Sequence, residues 1–181
     1  MNDIKNYSTF TKIEPIHKGW SKDKKYYVET EDGKNLLLRI SDIDKYEEKQ
    51  REFEIMQRIA SASINMSLPI DFGVCCGGKC VYQVLTWVEG KEAKEVLPFL
   101  SEPEQYAFGQ EAGRMLLQMQ TVEQYPSSSE WARKYRKQIR QYIKSYKTCG
   151  QKVVGENLLL SFLEQHSSSL DHRPMCLLHA D

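Results

Sequence analysis

Residues 35–41 read N-L-L-L-R-I-S. An apolar run this short, opened by a turn, reads as a strand, and its one cation sits in the middle. Side chains alternate across a strand, so Leu36 and Leu38 share one face and Leu37 and Arg39 the other. A cation on so apolar a strand requires an anion, from the protein or from a ligand. The next segment offers three. From Asp44 to Ala62 the residues Tyr46, Phe53, Met56, Ile59 and Ala60 recur at helical spacing, and Glu48, Glu52 and Glu54 lie among them. At 100° per residue Glu52 falls on the face of Met56 and Ile59, whereas Glu54 falls with Glu47, Gln50 and Arg58 on the polar face. Glu48 shares the inward stripe one turn earlier and is the second choice. An ordinary solvated carboxylate is the competing reading for either one.

Outward from this strand, two more precede it and two follow. Phe10–Ile16 and Lys25–Thr30 read as strands, and Glu31-Asp32-Gly33-Lys34 is a hairpin turn in which Gly tolerates positive φ. Between the first two lies H-K-G-W-S-K-D-K-K, with Gly19, Ser21 and the cations Lys18, Lys22, Lys24 and Lys25. Such a loop can cradle phosphates through backbone N–H groups and charge, or be a solvated hairpin tip. L-P-I-D-F-G-V-C-C and K-C-V-Y-Q-V-L-T-W-V, joined by Gly77-Gly78, read as strands four and five. Asp71-Phe72-Gly73 spells a protein-kinase metal-binding triplet, but it precedes the fifth strand, where no catalytic loop has yet occurred. W-V-E-G-K-E then forms a polar linker and the expected boundary, giving domains at 1–88 and 89–181.

Past the linker the pattern is helical. Pro103–Gln120 places Tyr106, Gly109, Ala112, Gly113, Leu116 and Met119 along one side, as for a core helix. Ser127 and Glu130 have capping-box spacing at the start of a helix carrying Trp131, Tyr135, Ile139, Tyr142 and Tyr146 and a basic face. Glu156–Gln165 is a further apolar helix. The chain closes on M-C-L-L-H-A-D, residues 175–181, read as a short buried strand that delivers His179 and Asp181 at its end.

Composition bounds the function. Lys+Arg and Asp+Glu each number 25, so the net charge is zero, which argues against bulk nucleic-acid binding. No apolar run approaches the ~20 residues of a membrane span, and the first residues lack the apolar core of a signal peptide. Five cysteines without paired C-x-x-C spacing argue against a zinc site and fit reduced thiols in a cytoplasmic protein.

The order of these parts resembles the protein-kinase-like fold, and more closely the aminoglycoside phosphotransferase family with its choline-kinase-like relatives. N-L-L-L-R-I-S, K-Q-R-E-F-E-I-M-Q-R-I, V-L-T-W-V-E-G and L-L-H-A-D carry the resemblance. It implies an α+β architecture: an N-terminal lobe with an antiparallel five-stranded sheet and one main helix, then the start of a mostly helical C-terminal lobe. It implies transfer of the γ-phosphate of ATP or GTP to a hydroxyl of a small-molecule acceptor. Arg39 would hold the α- and β-phosphates with Glu52 as its partner, and Ser21 would lie in the phosphate loop. The backbone of Thr86 and Val88 would meet the base, with Leu85 behind it. Asp181 would orient the acceptor hydroxyl and accept its proton. Mg²⁺ is the expected metal, with its ligands beyond residue 181 and none within it. On this reading the chain stops in mid-motif and residues 1–181 are expected to be inactive alone. A non-catalytic nucleotide-binding or adaptor module is the alternative. Neither acceptor identity nor oligomeric state is encoded in these patterns.

Overall fold

The computed structural model describes the chain apart from Trp20, Ser63, residues 123–127 and residues 178–181, with Ser128 described in its backbone only. Its first compact unit is Met1–Met119 and its second Gln120–Asp181. The first is built on five strands, β1 (Phe10–Ile16), β2 (Lys24–Thr30), β3 (Asn35–Asp42), β4 (Pro69–Cys75) and β5 (Cys80–Thr86). They form one antiparallel sheet in the order β1-β2-β3-β5-β4. Helix α1 (Tyr46–Ser61) follows β3. This is the α+β lobe with a five-stranded antiparallel sheet and one main helix that the resemblance implied.

The two faces of the sheet bury different things. On one face Val28 pairs with Leu36 and Leu38 with Val84, and with Ile40, Tyr82 and Cys75 they form the core. The first nine residues cover it: Ile4 is 3% exposed, and Tyr7 packs beside it. The Asp-Gly turn closes as a three-residue loop, with Gly33 at φ +76° and Gly33 N–H donating to Thr30 O at 2.9 Å. That is the hairpin class in which the last loop residue is left-handed, hence the glycine.

Helix α1 lies against the other face. Phe53 is buried, its ring 5.5 Å from that of Phe72, and Tyr46 stands 5.4 Å from the same ring. Gln83 Nε2 donates to the Lys49 carbonyl at 3.0 Å, tying β5 to the helix. The helix touches β4 and β5, so the β1–β2–β3 half of this face stays less covered. There Tyr27, Leu37 and Arg39 are half-buried.

Asp71-Phe72-Gly73 is a structural triplet here. Phe72 packs under α1, and Asp71 accepts the Tyr82 hydroxyl at 2.7 Å on the opposite face. A Cβ at Gly73 would stand 2.9 Å from the Tyr82 ring, which explains the glycine.

Three sequence expectations change. The polar linker is not where the compact units divide: residues 89–119 group with the sheet. Lys18–Glu92 (2.6 Å), Asn35–Glu89 (3.1 Å) and Gln118–Ala62 O (2.5 Å) hold that segment. The segment includes a single-turn α2 (Ala93–Val96) and α3 (Glu102–Gln120). Helix α3, expected in the core, buries none of its residues; Tyr106 is 70% exposed and nothing lies within 4 Å of a Cβ at Gly109 or Gly113. Its apolar stripe has the right period, but periodicity does not supply the layer that must cover it. Residues 175–177 form no strand, and the rest of the expected strand, residues 178–181, lies outside the described residues.

The second unit pairs α4 (Ser128–Thr148) with α5 (Glu156–Gln165). Tyr146 OH donates to Glu156 at 2.7 Å and accepts the Val153 N–H at 2.9 Å, and Arg136 pairs with Asp171. The expected capping residue Ser127 lies outside the described residues.

Candidate active site

Register places the charged site. Lys25, Arg39, Gln83 and Phe72 are successive partners across β2, β3, β5 and β4, so they form one row on the helix side of the sheet. The adjacent row on the same face, ~6.6 Å away along the strands, is Glu14, Tyr27, Leu37 and Leu85. A cationic row thus runs beside an apolar one. The Tyr27 ring meets Trp87 edge-on at 4.9 Å.

Arg39 sits between two carboxylates. Its Nη1 donates to Glu52 Oε1 at 2.7 Å and its Nη2 to Asp23 Oδ2 at 2.7 Å. Lys49, one turn before Glu52, donates to both acids at 2.9 Å, and Ser41 Oγ donates to Asp23 Oδ1 at 2.7 Å. Two cations and two anions therefore close a ring of four charges. Burial is uneven around it: side-chain exposure is 3% for Asp23, 8% for Lys49, 18% for Arg39 and 33% for Glu52.

Burial pushes the Asp23 carboxyl up, but hydrogen bonds from Lys49, Ser41 and Arg39 outweigh it and hold the group well below the usual carboxylate range. Burial lowers the pKa of Arg39 and Lys49, and the paired acids more than restore it: Arg39 ends above its ordinary value through Glu52 and Asp23, and so does Lys49. Asp23, Arg39 and Lys49 therefore stay charged at neutral pH.

Two buried polar atoms in this row lack a partner, Arg39 Nε and Gln83 Oε1. A guanidinium has five N–H donors. The two carboxylates engage one each, so Arg39 retains donor capacity for an oxyanion.

Of the residues expected at the site, Arg39 and Glu52 are brought together. Ser21 lies in the β1–β2 loop, where its Oγ accepts the Asp23 N–H at 3.0 Å. Leu85 is a buried member of the apolar row. Thr86 is already engaged: its N–H donates to Leu68 O at 2.9 Å, its C=O accepts from Ser67 Oγ, and its hydroxyl accepts the Leu68 N–H at 2.8 Å. Val88 is exposed, and among the described residues its backbone has no partner. Asp181 lies outside the described residues. Asp23, Ser41 and Lys49 escape the sequence reading. Lys49 stands three residues before Glu52, a same-face helical spacing that signals it, and Ser41 shares the face of Arg39 by alternation. Asp23 is the one acid in a lysine-rich loop, and only the fold shows that it turns inward.

The model of the phosphotransferase enzyme family (APH) matches residues 12–181. The chain belongs to this family. Among solved structures, the family member resembles "Amicoumacin kinase hAmiN in complex with AMP-PNP, Ca2+ and Ami", with 13% identity and a TM-score of 0.44, over 77% of this chain and 49% of that one. The phosphotransferase-family chain thus spans about half the length of that kinase. No curated protein matches it. Among the described residues no group of three or more His, Cys, Asp or Glu converges as a metal site, and no helix is long and apolar enough to cross a membrane.

Proposed function

We propose that this chain carries the nucleotide-binding lobe of a phosphotransferase that moves the γ-phosphate of ATP or GTP to a hydroxyl of a small molecule. The observation that carries the reading is Arg39, held on a half-open sheet face by Glu52 and Asp23 and flanked by the apolar row Tyr27–Leu37–Leu85. The apolar row suits the flat face of a base, and the neighbouring cation suits its phosphates. In this reading the exposed Val88 backbone meets the base edge, because the groups of Thr86 are engaged with Ser67 and Leu68. Ser21 and the lysines of the β1–β2 loop border the phosphates. Arg39 neutralises phosphate charge, which is most of what the protein contributes to phosphoryl transfer. Asp181 has the role of orienting the acceptor hydroxyl and taking its proton. Mg²⁺ enters with the nucleotide and would neutralise charge on the phosphates. Five unbridged cysteines accord with a cytoplasmic setting.

The test is nucleotide binding by titration calorimetry with MgATP and MgGTP, wild type against Arg39→Ala. Saturable binding, weakened at least about tenfold by the substitution (the loss of one charge-assisted contact), is the expected result. Absence of binding to either nucleotide, or equal binding by the variant, refutes it.

A further inference from the structure

Asp23 does more than neutralise a cation. It leaves the β1–β2 loop two residues after Ser21, whose hydroxyl accepts its N–H, and enters the sheet 3% exposed. Its two oxygens then divide the work. Oδ1 takes the Ser41 hydroxyl on β3, and Oδ2 takes Arg39 Nη2 on β3 and Lys49 Nζ on α1. One carboxylate thereby joins the loop, the third strand and the helix. It also grips the guanidinium on the nitrogen that Glu52 leaves free. A single carboxylate partner permits Arg39 to pivot about that contact. Two partners on different nitrogens fix the plane of the group, and with it the direction of the remaining N–H donors, including the unpartnered Nε.

We propose that Asp23 is a positioning residue of the nucleotide site: it orients Arg39 from the side opposite Glu52 and anchors the β1–β2 loop to the strand and helix that bear the phosphate-binding cation. Lys49 is the counter-charge that lets two carboxylates, the buried Asp23 and the partly exposed Glu52, face one arginine. Without it the cluster would hold two anions against one cation, and the acids would repel one another. This inference rests on the nucleotide reading above. It also accounts for arginine at position 39. A lysine ammonium has three donors in all, so satisfying both acids leaves it one.

The test is a double-mutant cycle on nucleotide affinity, using a fluorescent ATP analogue with magnesium and the whole chain. The four proteins are wild type, Asp23→Asn, Arg39→Ala and the double variant, with melting temperature measured in parallel. Asn keeps the size of Asp23 and a carbonyl for Ser41, but it loses the charge that grips Arg39. Asp23→Asn is expected to weaken binding roughly tenfold in the wild-type background, the scale of one lost charge-assisted bond, and to add nothing to Arg39→Ala. The non-additivity is what a positioning role requires. If Asp23→Asn lowers the melting temperature but leaves affinity unchanged, Asp23 is structural only and the inference fails. An equal loss in both backgrounds means a loop defect that does not act through Arg39, and this too overturns it. If wild type and Arg39→Ala bind alike, the nucleotide reading itself fails, an outcome distinct from the other two. Should Asp23→Asn not fold, Ser41→Ala removes one of the three bonds to Asp23. It is then expected to weaken binding by a smaller factor in the wild-type background and by none in Arg39→Ala. Unchanged affinity in the first would overturn the proposal.

Discussion

Replacing Lys49 by methionine keeps an unbranched stem of similar length and removes the charge. The ammonium makes two charge-assisted bonds of 2.9 Å, to Asp23 and to Glu52, and is itself 8% exposed. Removing one partner of a buried ion pair costs about 3–5 kcal/mol, because the other charge is stranded. Here the loss should be smaller. Glu52 is one-third exposed and can rehydrate, and Asp23 keeps Arg39 and Ser41. About 2–3 kcal/mol is expected, which for a unit of this size corresponds to a fall in Tm of roughly 10 °C. Thermal and urea unfolding of wild type and Lys49→Met measure it. Adding Asp23→Asn to Lys49→Met should cost less than the sum of the single changes, with a coupling of at least about 1 kcal/mol. A Tm shift below about 2 °C would place the cluster with exposed surface pairs, worth about 0–1 kcal/mol, and the account of a buried charge ring would be wrong.

Acid should dissolve the same ring. The folded-state pKa of Asp23 is depressed, so its contribution is complete above the unfolded value of about 3.9 and is lost as pH falls through the folded value. The stability gap between wild type and Asp23→Asn should therefore be constant from about pH 5 to 8 and shrink below about pH 4; a gap that widens in acid would contradict the assignment. Arg39→Lys should weaken nucleotide binding about tenfold while the fold survives, since a lysine engaged with both acids keeps one donor for phosphate; titration of MgATP decides, and unchanged affinity would mean that the spare donors are not used. Gly73→Ala should destabilise the first unit by about 1–3 kcal/mol, because the new Cβ would meet the Tyr82 ring at 2.9 Å. Truncating the ring in Gly73→Ala/Tyr82→Ala should remove that clash, and a double variant showing the full sum of both losses would count against it.

What the sequence by itself determined is local. Alternation within N-L-L-L-R-I-S sets Arg39 apart from Leu36 and Leu38, and the 3.6-residue period selects Glu52 over Glu54, so both members of the 2.7 Å pair are legible before folding. Five short apolar runs with glycine turns give the sheet lobe. The family resemblance rests on the order of these parts, which the family match over residues 12–181 supports. What only the tertiary structure decided is whatever depends on a partner distant in the chain. Asp23 is one acid among lysines until β2 and β3 pair and turn it toward Ser41, Arg39 and Lys49. Thr86 is an open hinge residue until Ser67 and Leu68 take its polar groups. Helix α3 has a core-like stripe, yet burial belongs to the surface that covers a stripe and not to the stripe itself. Periodicity is written in neighbouring residues, whereas neutralisation and burial are settled by those that folding brings alongside.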